Sequence, residues 1–206
     1  IDHCNSHSSF KDRIYMSNLC QEITLPTDPI QHIDGEGEIA LCILSAINVG
    51  KIGYLDELEG LCDLAVRALD EIIDHQKYPV KSAEVSTKAR RSLGIGYIGL
   101  AHYLAKHKLS YNDKAAWKEV DELTEAFQYY LLKASNTLAK ERGACEHFDK
   151  TKYSDGILPI DSYKKDVDDL VKRKLSYDWT TLRNDIKSSG LRHSTLSAQM
   201  PSESSS

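Results

Sequence analysis

Residues 38–52 read EIALCILSAINVGKI, a nearly continuous apolar run with several β-branched residues, bounded by Gly37 and Gly53. This pattern predicts a strand that is buried on both faces. Residues 54–76 then read YLDELEGLCDLAVRALDEIIDHQ, where apolar residues recur every three or four positions and predict an amphipathic helix. The predicted apolar face of this helix comprises Leu58, Leu61, Cys62, Ala65, Leu69 and Ile72.

The rest of the chain alternates predicted helices with short extended segments. Strands separated by helices imply an α/β architecture with substantial parallel pairing. The two or three strands that are evident are too few to close a barrel by themselves. The predicted elements are an extended segment at 17–25 in an otherwise irregular lead-in over 1–37, a Gly-rich apolar segment at 92–99, helices at 100–109, 116–141, 161–171 and 178–188, stops at Gly143 and Gly190, and a buried-type strand at 191–200.

The composition is that of an ordinary globular protein, because 41% of the 206 residues are hydrophobic and 28% are charged. The 26 Lys and Arg residues against 31 Asp and Glu residues give a formal net charge of −5, which argues against a nucleic-acid-coating or polybasic membrane protein. No apolar run approaches the roughly 20 residues of a membrane span, and the N-terminus has no signal-peptide pattern. We therefore expect a cytoplasmic protein without nucleic-acid or membrane partners.

The ends and the cysteines add two expectations. The sequence starts at Ile1 rather than Met and stops after PSESSS at 201–206, which predicts a stretch of a longer protein or one piece of a split one. An odd number of widely spaced cysteines favours reduced thiols over a secreted disulfide scaffold. The five cysteines are Cys4, Cys20, Cys42, Cys62 and Cys145.

The sharpest local feature is the triplet Asn18, Cys20 and Glu22. In an extended segment these side chains share one face, since alternate residues point the same way. A neighbouring carboxylate disfavours the thiolate, so Cys20 should keep its proton near neutral pH. This suits hydrogen-atom chemistry with Glu22 as base and Asn18 orienting a substrate, and it does not suit a cysteine protease. The alternative is a buried cysteine with two incidental polar neighbours.

The other cysteines and the histidines give weaker signals. Cys42 lies in the predicted buried strand, where it is either a small core residue or a redox partner of another thiol. We expect Cys62 and Cys145 to serve packing or to be merely exposed. The lead-in residues His3, Cys4 and His7, together with Cys20, match no strong metal-ligand spacing, so no metal site is expected.

Two short motifs could bind phosphate groups. Gly94–Gly99 is a literal G-x-G-x-x-G, but the dinucleotide motif needs a preceding strand, and the residues before it, KSAEVSTKARRS, are polar and basic. Glycines that allow close backbone packing are the favoured interpretation, and a dinucleotide-binding module is the alternative. The serines at 201–206 would form an anion site if a helix begins there; otherwise they are a plain N-cap or a flexible tail.

Four motifs in order resemble the large, catalytic subunit of aerobic (class I) ribonucleotide reductases. They are SNLCQEI at 17–23, GEIALC at 37–42 with Asn48, RRSLGIG at 90–96, and LRHST at 191–195 running to MPSESS at 200–205. The resemblance implies part of a ten-stranded α/β barrel with helices around it. It also implies a single fragment of that catalytic barrel over 1–206, with a finger loop at about 10–25, a strand at about 38–52 and the start of a phosphate loop at about 200–206.

The resemblance also implies a role for each site residue. Cys20 would become the transient thiyl radical that takes the ribose 3′ hydrogen, with Glu22 as base at the 3′-hydroxyl and Asn18 hydrogen-bonded to the substrate. Cys42 would be one of the two thiols that supply electrons, its partner lying upstream of residue 1. Family members usually carry Thr at the position of Ser204, a change expected to matter little. The implied substrate-binding residues are Ser17, Asn18, Cys20, Glu22, Pro201, Ser202, Glu203, Ser204 and Ser205.

Cofactors and partners follow from the same resemblance. It implies a ribonucleoside diphosphate substrate, a radical supplied by a metal-containing small (beta) subunit, and a thioredoxin- or glutaredoxin-type reductant. It implies no metal in this chain, ATP or deoxynucleotide effectors bound to family regions outside it, and a dimer completed by other parts of the large subunit. The 206 residues alone should therefore not turn over. The rival interpretations are a catalytically silent structural fragment, a glycyl-radical relative, and a dinucleotide-binding module at Gly94–Gly99.

Overall fold

The computed structural model describes residues 8–32, 34 and 37–202. Within these residues two strands are surrounded by helices of very different length. The strands are β1 (Ile43–Asn48) and β2 (Leu93–Ile98), and the α-helices are α1 (Glu57–His75), α2 (Lys81–Arg90), α3 (Leu100–Lys106), α4 (Lys114–Arg142), α5 (Pro159–Ser162), α6 (Asp166–Val171) and α7 (Trp179–Ser189), with 3-10 turns at Val49–Lys51, Phe148–Lys150 and Lys152–Asp155.

The two strands confirm the predicted parallel pairing. Ile43 lies opposite Leu93, and the register continues to Asn48 opposite Ile98. The connection between them runs through α1 and α2, as parallel pairing requires a long crossover. β1 is shorter than the strand expected over 38–52, because the Asn48 side chain accepts a hydrogen bond from the Gly50 amide and starts a 3-10 turn.

β1 is not buried on both faces among the described residues. Leu44 on this strand is 45% exposed, whereas Leu93 and Ile95 of β2 are fully buried. In the part of the chain that the structure describes, β1 pairs only with β2, so one edge of β1 carries no strand. Part of the apolar surface of residues 38–52 is therefore left uncovered by the described residues.

The prediction of a regular strand over 191–200 is wrong. The segment runs beside β2 and forms one parallel bridge, between Ile95 and Ser197. Its earlier backbone groups pair elsewhere: the Arg192 amide donates to the Ser135 carbonyl and the Ser194 amide to the Arg90 carbonyl. Because these donors are used by α4 and by the end of α2, no continuous ladder with β2 forms.

The main core lies where α1 and α4 pack together over the strands. All seven apolar positions predicted for α4 are buried, which confirms that amphipathic pattern. The buried face of α1 is rotated from the predicted one, because Val66 and Ile73 are fully buried while Leu61 and Ile72 are 36% and 44% exposed. The buried α4 residues of that set are Leu123, Ala126, Phe127, Tyr130, Leu131, Ala134 and Leu138.

Glycines in β2 allow close packing, as the favoured interpretation predicted. A Cβ on Gly94 would lie 2.5 Å from Leu44 Cδ2, and a Cβ on Gly96 would lie 2.6 Å from the Ala198 carbonyl oxygen. Both glycines lie inside the strand, and the helix α2 rather than a strand precedes it. This arrangement lacks the strand-to-loop order that a dinucleotide motif needs, so the dinucleotide interpretation is wrong. No helix among the residues described has the length and apolar character of a membrane span.

Candidate active site

Residues 17–24 form a tight turn, which we call the 17–24 turn. Ser17 and Thr24 pair as an isolated antiparallel bridge, and the Asn18 amide donates to the Ile23 carbonyl at 3.1 Å. The Asn18 side-chain oxygen accepts from the Ile23 amide at 3.2 Å, and Gln21 has a φ of +63°. The extended segment expected at 17–25 is therefore wrong, because the Asn18 side chain takes the place of a strand partner and turns the chain back.

The turn gives the three predicted site residues different environments. Cys20 is exposed at the tip beside Leu19, which is 95% exposed. Both carboxylate oxygens of Glu22 are instead buried, and neither has a hydrogen-bond partner among the residues described. The argument that alternation places Asn18, Cys20 and Glu22 on one face thus fails, since the backbone does not alternate there. What remains is a solvent-facing thiol and an inward-facing carboxylate on one short turn.

Cys42 packs against the small apolar cluster that contains Ile23, the residue that follows Glu22 in the 17–24 turn. It is half-buried, and the cluster is formed by Phe10, Ile14, Ile23, Leu25 and Ala198. Burial raises the pKa of the Cys42 thiol, and the negative charge of Glu22 raises it further. The fold therefore brings the 17–24 turn and Cys42 to one region, although Cys42 is far from the turn in sequence.

The segment that leads to the predicted phosphate loop reaches the same region. Ala198 belongs to the small apolar cluster, and the Tyr97 amide donates to the Gln199 side-chain oxygen at 2.9 Å. Pro201 is exposed and Ser202 is half-buried. The remaining predicted phosphate-loop residues, Glu203, Ser204 and Ser205, lie outside the described residues, as do His3, Cys4 and His7.

The other two described cysteines, Cys62 and Cys145, are packing residues, which is one of the two roles expected for them. Cys62 is fully buried on α1, and Cys145 is 4% exposed. Burial raises the pKa of each thiol to about 12, so neither forms a reactive thiolate near neutral pH. Over the described ranges, no group of three or more His, Cys, Asp or Glu side chains could hold a metal ion.

A buried ionic network centred on Asp70 was missed by the sequence reasoning. Asp70 is fully buried on α1 and accepts from Arg91 at 2.7 Å, from His193 at 3.1 Å and from Arg192 at 3.2 Å. Burial alone would raise the pKa of Asp70, but hydrogen bonds and charges from His193 and Arg91 lower it well below its usual value. Burial lowers the pKa of His193 despite the adjacent carboxylate. Asp70 lies on the face of α1 that the structure buries and not on the face predicted from the apolar residues, so the sequence pattern gave no signal for it.

A second ionic cluster joins the buried Arg90 and Glu38 with Asp12, whose side chain is 38% exposed. The Arg90 Nε and Nη2 donate to the two carboxylate oxygens of Glu38 at 2.9 and 2.8 Å. Its Nη1 and Nη2 donate to Asp12 Oδ2 at 3.2 and 3.3 Å. Arg90 and Arg91 both stand in one of the four motifs, but the motif alone gave neither residue a role.

Comparisons of the sequence with known proteins identify its family. The family profile described as "Ribonucleotide reductase, barrel domain" matches residues 1–206. The chain is 60% identical to the ribonucleoside-diphosphate reductase subunit alpha of Haemophilus influenzae and 57% identical to the ribonucleoside-diphosphate reductase 1 subunit alpha of Escherichia coli K12. Each alignment covers 100% of this chain and 28% of the relative.

The corresponding subunit of enterobacteria phage T4 is 44% identical, with 100% of this chain and 27% of the relative covered. The chain thus spans little more than a quarter of the length of the curated relatives it matches. Since the profile covers every residue of the sequence, the chain belongs to the ribonucleotide reductase barrel-domain family.

Proposed function

We propose that this chain supplies the radical thiol and one redox thiol of a ribonucleoside-diphosphate reductase α-subunit. The observation that carries the proposal is the convergence of the 17–24 turn with Cys42. The turn presents an exposed thiol, Cys20, and a buried carboxylate, Glu22, whose charge acts on the half-buried Cys42. A deoxygenation that needs a hydrogen-atom carrier, a base and a reducing thiol would find all three here.

In the proposed reaction Cys20, as a thiyl radical, takes the hydrogen atom from C3′ of the ribose. Glu22 accepts the 3′-hydroxyl proton, and the 2′-hydroxyl leaves as water. Cys42 and its partner thiol supply two electrons and become a disulfide. Cys20 then returns a hydrogen atom to C3′. The balance is one ribonucleotide and two thiols converted to one deoxyribonucleotide, one water and one disulfide.

The surroundings of Glu22 and Asn18 support these assignments. Both Glu22 oxygens lack a donor among the residues described, so either can accept a hydrogen bond from a substrate hydroxyl. The Asn18 oxygen is used within the turn, which leaves the NH₂ group of this amide to donate to the substrate. Burial and the negative charge of Glu22 both raise the pKa of Cys42, so this thiol stays protonated until it supplies its electrons.

The remaining parts of the proposal are carried over from the family to which the chain belongs. Ser17 and residues 201–205 would hold the substrate, the latter through its diphosphate. The exposed Leu44 on β1 supports further barrel strands packing against this one. A metal-containing small subunit would generate the radical, a thioredoxin- or glutaredoxin-type protein would reduce the disulfide, and nucleotide effectors and dimer contacts would involve other regions. A cytoplasmic location completes this set.

The test replaces Cys20 in the complete α-subunit that contains this sequence, assayed with its small subunit and a ribonucleoside diphosphate. Cys20→Ala should lower deoxyribonucleotide formation by at least about a thousandfold, because the other described thiols are half-buried or buried and none replaces it at the tip. Cys62→Ala is the matched control and should keep the rate per folded enzyme. A Cys20→Ala variant with more than a tenth of the normal rate would mean a catalytically silent fragment.

A further inference from the structure

The Arg90 side chain bonds two carboxylates, Asp12 in the segment that precedes the 17–24 turn and Glu38 in the segment that precedes Cys42. Arg90 ends α2, and its side chain is 2% exposed, among the largest fully buried side chains of the described residues. Its guanidinium holds the Glu38 carboxylate in a two-pronged pair and also contacts Asp12. Such planar paired geometry fixes both distance and orientation, which a single point charge cannot do.

Each carboxylate belongs to one of the two segments. Asp12 lies between Phe10 and Ile14, which pack in the small apolar cluster together with Ile23 of the 17–24 turn. Glu38 lies four positions before Cys42. The buried guanidinium of Arg90 therefore connects the segment that leads into the 17–24 turn with the segment that leads into Cys42.

Glu38 is itself fixed by its surroundings. Its Oε2 accepts from the Asp28 amide at 3.0 Å, and its own amide donates to the Asp28 carbonyl at 3.0 Å. Burial alone would raise the pKa of Glu38, but the Arg90 guanidinium lowers it, so the carboxylate stays ionised. Removal of Arg90 would take the guanidinium away from both carboxylates and leave the Glu38 side chain with the Asp28 amide.

The adjacent residue Arg91 serves as an internal comparison. It is equally buried, at 4% exposed, and pairs with Asp70 and Asp74. Both of its partners are on α1, and neither lies on a segment that carries Cys20 or Cys42. Two neighbouring arginines thus make similar buried ion pairs, but only Arg90 connects the thiol-bearing segments.

We propose that Arg90 is a positioning residue, which holds the 17–24 turn and Cys42 at the separation that radical chemistry and thiol oxidation require. This inference rests on the proposed function. Its main consequence is a loss in the chemical step, since Arg90 acts on the placement of the thiols and lies outside residues 201–205, which are proposed to hold the substrate diphosphate. A misplacement of about 1 Å at a reacting group can cost about a hundredfold in rate.

The test compares Arg90→Gln, Arg90→Lys and Arg91→Gln in the complete α-subunit with its small subunit, each rate divided by the folded fraction from near-UV circular dichroism. Arg90→Gln should lower kcat by at least about tenfold with KM changed less than about threefold. Arg90→Lys should recover part of kcat, because an ammonium keeps the charge but not the two-pronged pair. Arg91→Gln removes an equally buried guanidinium and should keep kcat within about twofold.

A second variant and a second readout keep the outcome clear. Asp12 is 38% exposed, so Asp12→Asn should fold even if Arg90→Gln does not, and it should lower kcat without raising KM. The alkylation rate of Cys42 in folded Arg90→Gln protein should also change relative to the Arg91→Gln variant. Equal kcat and equal alkylation in the Arg90 and Arg91 variants would overturn the proposal. Cys20→Ala, run in parallel, distinguishes that failure from failure of the proposed function, because only the latter leaves Cys20→Ala active.

Discussion

Gly96 of β2 has no room for a side chain, and Gly96→Ala tests how tightly the segment before the predicted phosphate loop packs. A Cβ at Gly96 would lie 2.6 Å from the Ala198 carbonyl oxygen, 2.8 Å from Gln199 Oε1 and 2.9 Å from Met200 Sδ. The Gln199 and Met200 side chains can rotate away. The carbonyl is backbone and must shift together with the segment.

The cost follows from what holds that segment. The Ala198 amide donates to the Ile95 carbonyl at 3.2 Å, and the Gln199 side chain bonds the Tyr97 amide at 2.9 Å. Overpacking in a filled site costs about 1–3 kcal/mol, and each strained hydrogen bond is worth about 1 kcal/mol. We therefore expect Gly96→Ala to destabilise the contact between β2 and this segment by about 2–3 kcal/mol.

Gly60 provides a matched control for the same chemical change. It lies within α1, and a Cβ there would meet nothing within 4 Å. Because glycine weakens a helix interior by about 0.5–1 kcal/mol relative to alanine, Gly60→Ala should stabilise the helix by that amount. One substitution type is thus predicted to have opposite signs at two positions.

Native-state hydrogen exchange in the complete subunit measures both effects. In Gly96→Ala, the opening free energy at the Ile95 and Ala198 amides should fall by about 2 kcal/mol, whereas Gly60→Ala should not lower it. The KM for the nucleotide should rise in Gly96→Ala, since the displaced segment leads into the proposed diphosphate loop. Opening free energies at both amides within about 0.5 kcal/mol of the parent would refute the packing argument.

Three further predictions concern the buried charges and thiols. Asp70→Asn should destabilise the subunit by about 3–5 kcal/mol in chemical unfolding, because Arg91, Arg192 and His193 all lose the buried negative charge that they share and Arg91 keeps only the Asp74 carboxylate; a loss under about 1 kcal/mol would contradict this. Burial holds the pKa of His193 below its usual value, so the folded state binds fewer protons there than the unfolded state. Stability should fall as the pH drops below about 6.5, and His193→Gln should flatten that part of the pH profile. In native protein at pH 8 iodoacetamide should alkylate Cys20 at least about a hundredfold faster than Cys62 or Cys145, as peptide mass mapping would show; comparable rates would contradict the burial of the last two.

Periodicity predicted the long regular elements and failed where local side-chain bonding sets the backbone. The helices α1 and α4 follow apolar repeats of three and four residues, and both were predicted. The 17–24 turn was predicted as extended because Asn18 bonds the Ile23 amide within the turn, which a two-residue alternation cannot reveal.

The helix α2 was missed for a different reason. Its sequence, KSAEVSTKAR, has few apolar residues, yet Ser82, Ala83, Ser86 and Thr87 are buried. Small side chains let a helix approach its neighbours without large apolar groups, so the usual amphipathic signal is weak. The helix still matters to the site, because it ends at Arg90.

The assignment of the site residues remains a prediction, and the sequence did not predict how the fold arranges them. Cys20, Glu22 and Cys42 were singled out from local chemistry and from the family motifs. The packing of Cys42 against the apolar cluster that contains Ile23 and the pairing of Arg90 with Glu38 join residues that are remote in sequence, the latter pair 52 positions apart. Such long-range pairs depend on the tertiary fold, and no local pattern in one sequence encodes them.

The most direct measurement maps cysteine oxidation after a single turnover of the complete enzyme, without external reductant. Alkylation and mass spectrometry would report the state of each thiol in the parent and in Cys20→Ala. The account predicts that Cys42 becomes oxidised in step with deoxynucleotide formation, that Cys62 and Cys145 stay reduced, and that Cys20→Ala forms neither product nor oxidised Cys42. Product formation with Cys42 still reduced, or in the absence of Cys20, would contradict the account.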